Sequence, residues 1–571
     1  MRLLTASIAA RLLVLLTLAR AASAQDIRGT VRDSATSAPV PGAVVMVLNA
    51  ADVVLGRNIT NQRGEYRIPS TSGGTRLRVV RLGFRPRMQP LLAPTDGIAP
   101  FDVTITAIPI TLDSVRTLAA ASCPQRSDAP AALALFEQAR HGLLTTVVSR
   151  GVKPARMKRL FFDRHFDSTS QNITHQRVHA DSTVSMSSFG AVRRASEFVQ
   201  QGFMLDIAGI RTFFAPDAET LLDDEFAGGY CFRIMDAQRS RPHQIGLGFR
   251  AADSRRDRVD IDGALWIDTL ARALVDVEFR YTGMDRAYEP YHPGGRVSFR
   301  AIRNGVVLVD RWTLRLVDPH DDAATAMLKR LQPRRNSDTR CPTRSCYKSA
   351  APAQYDVHEV GGELAHAVWD DGSTFDDALG RLVVHALQDS SKAMVRTVMK
   401  LDDTEYQSVS DANGDMTFED LIPGPYDLFV VDPDLLPLGF TLATGASFSA
   451  VRDSTVSLRV PVPAAVDYAA HLCAADKGTM GSAWILGRVA TADGHPVDGA
   501  TWVVQRPVEG GGWEDVGPGG VTGADGTFHD CRLSPNMTVR VVAQHPGAAD
   551  AFSLRGLTGR LTVVTLEMRP R

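Results

Sequence analysis

Histidine and carboxylate crowd together at His358, Glu359, Glu363 and His366. Two imidazoles and a glutamate are the makings of a zinc hydrolase. That chemistry needs His-Glu-x-x-His on one helical face, so that both rings reach one ion. Here the histidines stand eight apart and Gly361-Gly362 would break a helix, so the segment reads as the entry to a domain. His175 and His179 would share a face on a helix, but Val178 and Thr183-Val184-Ser185-Met186 read as extended, so surface strand histidines are expected. Asp411-Ala412-Asn413-Gly414-Asp415 opens like a calcium loop, yet glycine stands fourth and Ile422 occupies the twelfth place, where glutamate is needed. Ser345-Cys346-Tyr347-Lys348 spells the S-x-x-K of a serine nucleophile without its K-T-G companion, in a Pro/Arg/Ser-rich stretch. Nucleophile elbows and glycine-rich phosphate loops are missing from the sequence. The expectation is therefore a chain that is not an enzyme, with no catalytic, cofactor-binding or metal-binding residues and no cofactor.

The elements that position these residues are short and β-rich. The 571 residues suffice for roughly three to five domains. With 63 basic and 64 acidic side chains the net charge is −1, which gives no case for a nucleic-acid partner. Residues 1–24 read as a secretory signal: Arg2, an apolar Leu12–Leu18 core, and Ala22-Ser23-Ala24 in the A-x-A form of a cleavage site. No later run approaches the roughly 18 apolar residues of a spanning helix, so a soluble mature chain is expected. Export makes disulfides the natural state of the six cysteines. Fifteen pairings are possible. Locality favours Cys341 with Cys346, Cys473 with Cys531, and Cys123 with Cys231.

One turn recurs three times: Thr60-Asn61-Gln62-Arg63-Gly64-Glu65-Tyr66, Ser410 to Met416, and Thr522 to Phe528. Each lies between β-branched runs, as antiparallel strands require. Asn61 or Asp411 can cap the turn, and Gly64, Gly414 and Gly526 sit where positive φ is needed. Tyr66, Met416 or Phe528 then points into a core. The motif is therefore architectural. In the first and last copies Pro39-Val40-Pro41-Gly42-Ala43 and Pro496-Val497-Asp498-Gly499-Ala500 precede it. This combination of a P-x-x-G-A strand and a T-x-x-x-G-x-[FY] hairpin resembles the carboxypeptidase regulatory-like family, of the carboxypeptidase D type. That family has a transthyretin-like (prealbumin-like) β-sandwich in the carbohydrate-binding-like fold group. The match is close for residues 27–108 and 484–569 and weaker for 361–463, where Asp377-Ala378-Leu379-Gly380 is read in place of P-x-x-G-A. The resemblance implies a non-catalytic accessory module. Such modules stand beside carboxypeptidase catalytic domains, at the front of TonB-dependent receptors, and in strings in exported proteins.

The middle of the chain lacks the repeat. Asp128-Ala129-Pro130 starts a helix whose Leu133, Leu135, Phe136 and Ala139 have helical spacing. Gly263–Asp268 pairs with Ala273–Tyr281, and Val297–Ile302 with Val306–Trp312 across Asn304-Gly305, a two-residue hairpin signal. Alternation places Val275, Val277, Phe279 and Tyr281 inward and Asp276, Glu278 and Arg280 on a wet or groove-lining face. The Trp266 and Trp312 hairpins resemble the curved sheet of lipoprotein-carrier-type proteins, which would give an apolar ligand groove under the helix. A plain meander with a closed core is preferred.

The fold class expected is mainly β: several small antiparallel β-sandwich domains plus a central β domain with a covering helix. The domains are 1–24 signal, 25–110 regulatory-like sandwich, 115–350 central, 361–465 degenerate sandwich and 480–571 final sandwich. The expected role is an exported, non-catalytic binding or scaffold protein. It would be periplasmic, outer-membrane associated or extracellular, with an envelope ligand (glycan, peptide or lipid). Trp484, Trp502 and Trp513 are candidate sugar platforms; the first two sit in apolar runs and Trp513, after three glycines, is expected to be exposed. Two alternatives stay open. One is a soluble accessory of a TonB-dependent outer-membrane receptor, since Glu567–Arg571 lacks a barrel's terminal aromatic. The other is a hydrolase in the central domain.

Overall fold

A computed structural model describes residues 26–69, 72–91, 100–108, 129–152, 154–167, 170–189, 193–207, 210–255, 257–319, 355–388, 392–433, 435–474 and 481–569. They fall into two compact units, one within Met1–Asp163, Ala180–Val317 and Val357–Asp377, the other within Arg164–His179, Asp318–Asp356 and Ala378–Arg571. The chain is mainly β, as expected. The signal segment, Cys123 and the Cys341–Cys346 pair lie outside the described residues.

The first unit opens with a sandwich of seven strands, β1 (Ile27–Asp33), β2 (Val44–Leu48), β3 (Val54–Ile59), β4 (Glu65–Ile68), β5 (Arg76–Val80), β6 (Arg87–Pro90) and β7 (Val103–Ile105). One sheet runs β4-β1-β7, with β7 parallel to β1, and the other β3-β2-β5-β6. Val31, Val45, Val47, Tyr66, Leu77 and Val79 fill the space between them. The turn behaves as its residues dictate. Asn61 Oδ1 accepts from Arg63 and Glu65 N–H at 2.9 and 3.0 Å, and Gly64 has φ +73°.

The helix α1 (Ala129–Val152) then lies on a long antiparallel sheet. The sheet's order is β12 (Tyr230–Ile234), β13 (Gln244–Ala251), β14 (Asp260–Asp268), β15 (Ala273–Thr282), β16 (Gly294–Ala301), β17 (Val307–Pro319), β18 (Tyr355–Trp369), β8 (Ala155–Phe166) and β9 (Ile173–Ser185). A small β19 (Thr374–Asp376) pairs with β18. A hairpin of β10 (Met204–Ile207) and β11 (Ile210–Phe213) and short helices α2 (Ala195–Gln201), α3 (Ala218–Leu222) and α4 (Asp224–Gly229) close the edge. Both expected hairpins form. The inward row of β15 differs: the register slips between Trp266 and Ile267, so Asp276 faces Trp266, Leu274 faces Ile267, and Val275 is the extra residue of a β-bulge. Leu274, Val277, Phe279 and Tyr281 therefore reach the core, and Val275 does not.

The second unit holds two more sandwiches. In the second, Gly380–Gln388 lies antiparallel to Asp415–Leu421 and parallel to Thr455–Pro461. In the third, Ala483–Thr491 stands in the same way between Thr527–Leu533 and Leu561–Met568. Both repeat the β4-β1-β7 order. The boundary expected at 361 is corrected: Tyr355–Trp369 and Thr374–Asp376 belong to the central sheet, and the second sandwich starts at Gly380. A further helix, Ala465–Ala474, is tied to the third sandwich by the Cys473–Cys531 disulfide, as locality suggested. Cys231 is also disulfide-bonded.

Three hydroxyls bind the repeats together and were not read from the sequence. Thr60 Oγ1 donates to Val40 O at 2.6 Å and accepts from Ala43 N–H at 2.9 Å. Thr522 does the same with Val497 and Ala500, and Ser410 with Met394 and Thr397. All three residues are buried. The hydroxyl shows that Met394-Val395-Arg396-Thr397, not Asp377–Gly380, replaces V-x-G-A in the second sandwich. Arg396 carries the positive φ, +58°, that Gly42 and Gly499 carry elsewhere. The apolar anchor is sized to its partner on the first strand. Tyr66 and Phe528 lie opposite Gly29 and Gly487, whereas the slimmer Met416 lies opposite Val384.

A Cβ on Gly64 or Gly526 would press into the carbonyl of Val31 or Val489, whereas Gly494, also at positive φ, has open space around it. Gly64→Ala and Gly526→Ala should each cost roughly 2–4 kcal/mol and Gly494→Ala about 1 kcal/mol. Urea unfolding of the three variants checks this; equal losses would show that the turn is not the constraint.

Candidate functional site

Several of the residues whose types suggested chemistry are engaged in local pairs. His358, Glu359, Glu363 and His366 lie on the strand β18. Glu363 is buried and paired with Arg311 Nε at 3.1 Å, and His366 binds Asp376 across the β18–β19 turn. Gly361 and Gly362 serve close packing: a Cβ there would meet the rings of Phe162, Trp312 and Phe189. In the second unit His175 turns toward Asp403, Nε2 to Oδ2 2.7 Å, and its ring neighbour is His165, centroids 6.3 Å apart. His165 in turn reaches Asp356 at 3.2 Å. Strand spacing therefore pairs His175 with a histidine across the hairpin and not with His179. In the Asp411 turn, Oδ1 accepts two backbone N–H groups, and Asp415 takes His385 Nδ1 at 2.7 Å. No group of three or more His, Cys, Asp or Glu able to hold a metal occurs among the described residues. The S-x-x-K at Ser345 lies outside them.

Among the described residues the central sheet is packed closed where α1 crosses it. Leu135, Phe136, Ala139 and Leu143 of the helix fill that face against Phe249, Leu265 and Phe279, with Phe136 stacked on Phe232 at 4.3 Å. A cleft between Thr146, Ser149, Met157, Ser188 and Trp369 has a volume of about 10 Å³, room for about one water. On the other face Asp276, expected to be wet, is fully buried. Its carboxylate takes Arg241 at 3.0 and 3.2 Å and Arg296 at 2.7 Å, while Arg241 also binds Glu278 and lies 4.4 Å over the Trp266 ring. Burial works against the charge on Arg241, but the hydrogen bonds and fields of Asp276 and Glu278 outweigh it and hold the guanidinium above its ordinary range. Asp276→Ala would strand a half-desolvated guanidinium and should cost about 3–5 kcal/mol. Glu514→Ala, which breaks an exposed pair with Arg506, should cost under about 1 kcal/mol. Denaturation midpoints of the two variants test the contrast.

A sequence profile of the carboxypeptidase regulatory-like domain matches residues 26–106. The first sandwich is a carboxypeptidase regulatory-like domain. No curated protein matches the sequence. Solved structures with a similar arrangement include the Bacillus anthracis TIE protein, 9% identical over 63% of this chain and 63% of that protein's own length, TM-score 0.14. A Streptococcal ancillary pilin is 14% identical, covering 45% of this chain and 92% of its own, TM-score 0.13. The shaft pilin spaA from Lactobacillus rhamnosus GG is 8% identical, covering 34% and 98%, TM-score 0.13. Superpositions this loose carry no argument about the present chain.

The regulatory-like domain is docked and not loose. The outer face of its β3-β2-β5-β6 sheet, Val44, Met46, Leu48, Ile59 and Val80, joins one apolar cluster with Val148 of α1 and with Met157, Leu308, Leu364 and Trp369 of the central sheet. Thr145 of α1 donates to Gly42 O at 3.3 Å, and Arg81 reaches Arg272 O at 3.1 Å. At the same interface burial, reinforced by the charges of Arg78 and Arg140, pushes the His141 imidazole down to about 4, and its Nδ1 has no hydrogen-bond partner among the described residues. Two further sandwiches lie in the second unit. In the third, Trp484 and Trp502 are core residues, as expected, while Trp513 is half-buried beneath Arg540 and not fully exposed. Beside it Phe552 and Leu554 are 64% and 51% exposed. This face is the candidate interaction site.

The His141 shift fixes the sign of a pH effect. An unfolded histidine takes its proton near pH 6.5, the folded one only near 4. The stabilisation is complete above pH 6.5 and is lost as pH falls through the folded value. Acidification from pH 7.5 to 4.5 should remove roughly 2–3 kcal/mol through this group, and His141→Gln should flatten that part of the slope. Urea midpoints measured across this range decide it; parallel slopes in both proteins would disprove the assignment.

Proposed function

We propose that the chain is an exported, non-catalytic binding and scaffold protein of the cell envelope, built from one regulatory-like domain docked on a central sheet and two further sandwiches. The observation that carries this reading is the use of the recurrent residues. Thr60, Ser410 and Thr522, the turn glycines and the apolar anchors all close hairpins and fill cores. Of the titratable side chains in the rejected motifs, His175, Glu363, His366 and Asp415 are likewise engaged in local pairs. The regulatory-like domain that leads the chain is a non-catalytic fold. No helix among the described residues is long and apolar enough to cross a membrane.

Expression of the full chain in a Gram-negative host, with fractionation and N-terminal sequencing, should recover it outside the cytoplasm beginning at Gln25. The purified mature chain, screened against glycans, peptides and lipid vesicles, should show saturable binding to one class without turnover. Cytoplasmic retention with residues 1–24 intact, or chemical conversion of any probe, would overturn the proposal.

A further inference from the structure

The side of α1 that meets the first sandwich is a stripe at helical spacing: Gln138, His141, Thr145 and Val148. Three of these residues are bonded or packed across the seam. Gln138 Oε1 accepts from Gly83 N–H at 3.3 Å, Thr145 donates to Gly42 O at 3.3 Å, and Val148 joins the apolar cluster of Val44, Met46, Leu48, Ile59 and Val80. His141 lies in the same stripe, and its buried Nδ1 has no hydrogen-bond partner among the described residues.

The charges around this imidazole favour its neutral form. Arg78 acts on it from β5 of the sandwich, and Arg140 from α1 itself. Arg140 is taken up by Glu137 at 3.3 Å and Asp224 at 2.7 Å. Arg78 is exposed and has no carboxylate partner among the described residues. The same holds for Arg57 of β3, which lies opposite the same Met46. Arg81, just after β5, donates to the carbonyls of Pro41 and Arg272, both at 3.1 Å. The described carboxylates of the sandwich are committed elsewhere: Asp26 to Arg67, Asp33 to Ala35 N–H, Asp52 to Arg76, Glu65 to Asn61 and Asp102 to Thr30. Protonation of His141 therefore adds a positive charge to a desolvated seam lined by arginines, where no described carboxylate of the sandwich stands ready to receive it.

The penalty falls on the seam and not on the two bodies that it joins. Val31, Val45, Val47, Tyr66, Leu77 and Val79 close the core of the sandwich. Helix α1 keeps a second stripe, Leu135, Phe136, Ala139 and Leu143, on the central sheet. Each side retains its own core when they part.

We propose that His141 is an acid-operated release for the regulatory-like domain: its protonation raises the fraction of molecules in which the first sandwich has lifted off α1, uncovering Val44, Met46, Leu48, Ile59 and Val80 while both bodies stay folded. The seam is closed at neutral pH. Burial, which pushes this histidine down to about 4, sets the working range. The open form gains as pH falls below 6.5, and the gain is complete below about 4. The release goes beyond the binding role proposed above and does not depend on it.

The test uses the full mature chain with one thiol placed in the seam. Val148→Cys supplies it from α1 and Met46→Cys from the sandwich, the second serving if the first folds poorly; both side chains are buried there. Cys231, Cys473 and Cys531 are disulfide-bonded, and the unsubstituted chain gives the baseline. Labelling by dithiodipyridine, which reacts with thiols in acid, is compared at each pH with that of a free thiol. Protection of the seam thiol should fall roughly fifty- to a hundredfold between pH 7.5 and 4.5. His141→Gln should hold it constant within a few fold. Val45→Cys in the sandwich core and Val277→Cys in the core beneath α1 should change little over the same range. An equal fall at Val45 or Val277 would mean that the unit opens as a whole, which overturns the release. So does an undiminished seam, and so does a fall that His141→Gln leaves in place.

Discussion

The apolar seam between the regulatory-like domain and the central sheet sets the form of the first unit. Val44, Met46, Leu48, Ile59 and Val80 point away from their own sandwich core, and each would be a liability in water. Burying a side chain of this size is worth roughly 1.5–3 kcal/mol, so five of them supply a gross term on the order of 10 kcal/mol. The sandwich, α1 and the β16–β17 hairpin therefore behave as one packed body. The approach of Gly42 to Gly305 marks how closely the turns are fitted, since side chains there would collide with Gly305 O and Thr60 O.

This seam also explains which parts of the architecture were legible. The hairpins at Gly64, Gly414, Gly526 and Gly305 follow from residue types that determine local backbone angles, and the sequence displays those types openly. Helix α1 was found from its spacing, though it runs on to Val152 because Thr145, Val148 and Ser149 continue the buried stripe beyond the apolar segment first recognised. A string of independent sandwiches was the natural reading of three recurring turns, and it left the second face of β2 out of account. Five consecutive buried residues, Val44 to Leu48, are the sign of a strand covered on both sides, and that run was visible.

What escaped the sequence reading depends on register or on partners distant in the chain. The bulge at Val275 transfers Leu274 to the core, and alternation counted without the extra residue puts it on the wrong face; Asp276 stays on the face expected but is buried there by Arg241 and Arg296. The second sandwich hid its loop because Arg396 adopts the backbone angle that glycine takes in its siblings. His165 and His175 meet only through a hairpin, so spacing along a single strand could not reveal them. The open face around Arg540 was half legible: Trp513 was singled out, while the residues that make the surface, Phe552 and Leu554, became visible only when the edge strand was laid beside its neighbours.

The sizes of the hairpin anchors bear on how the three copies can diverge. Tyr66 fits over Gly29 and Phe528 over Gly487, whereas Met416 shares its site with Val384. An exchange of genetic material between the first and second copies that broke between strand and hairpin would set a phenol against a valine, or leave a thioether above an empty glycine. Related segments in one gene invite such exchanges. Mismatched volumes would make the resulting chimaeras fold poorly, by overpacking in one case and by a cavity in the other.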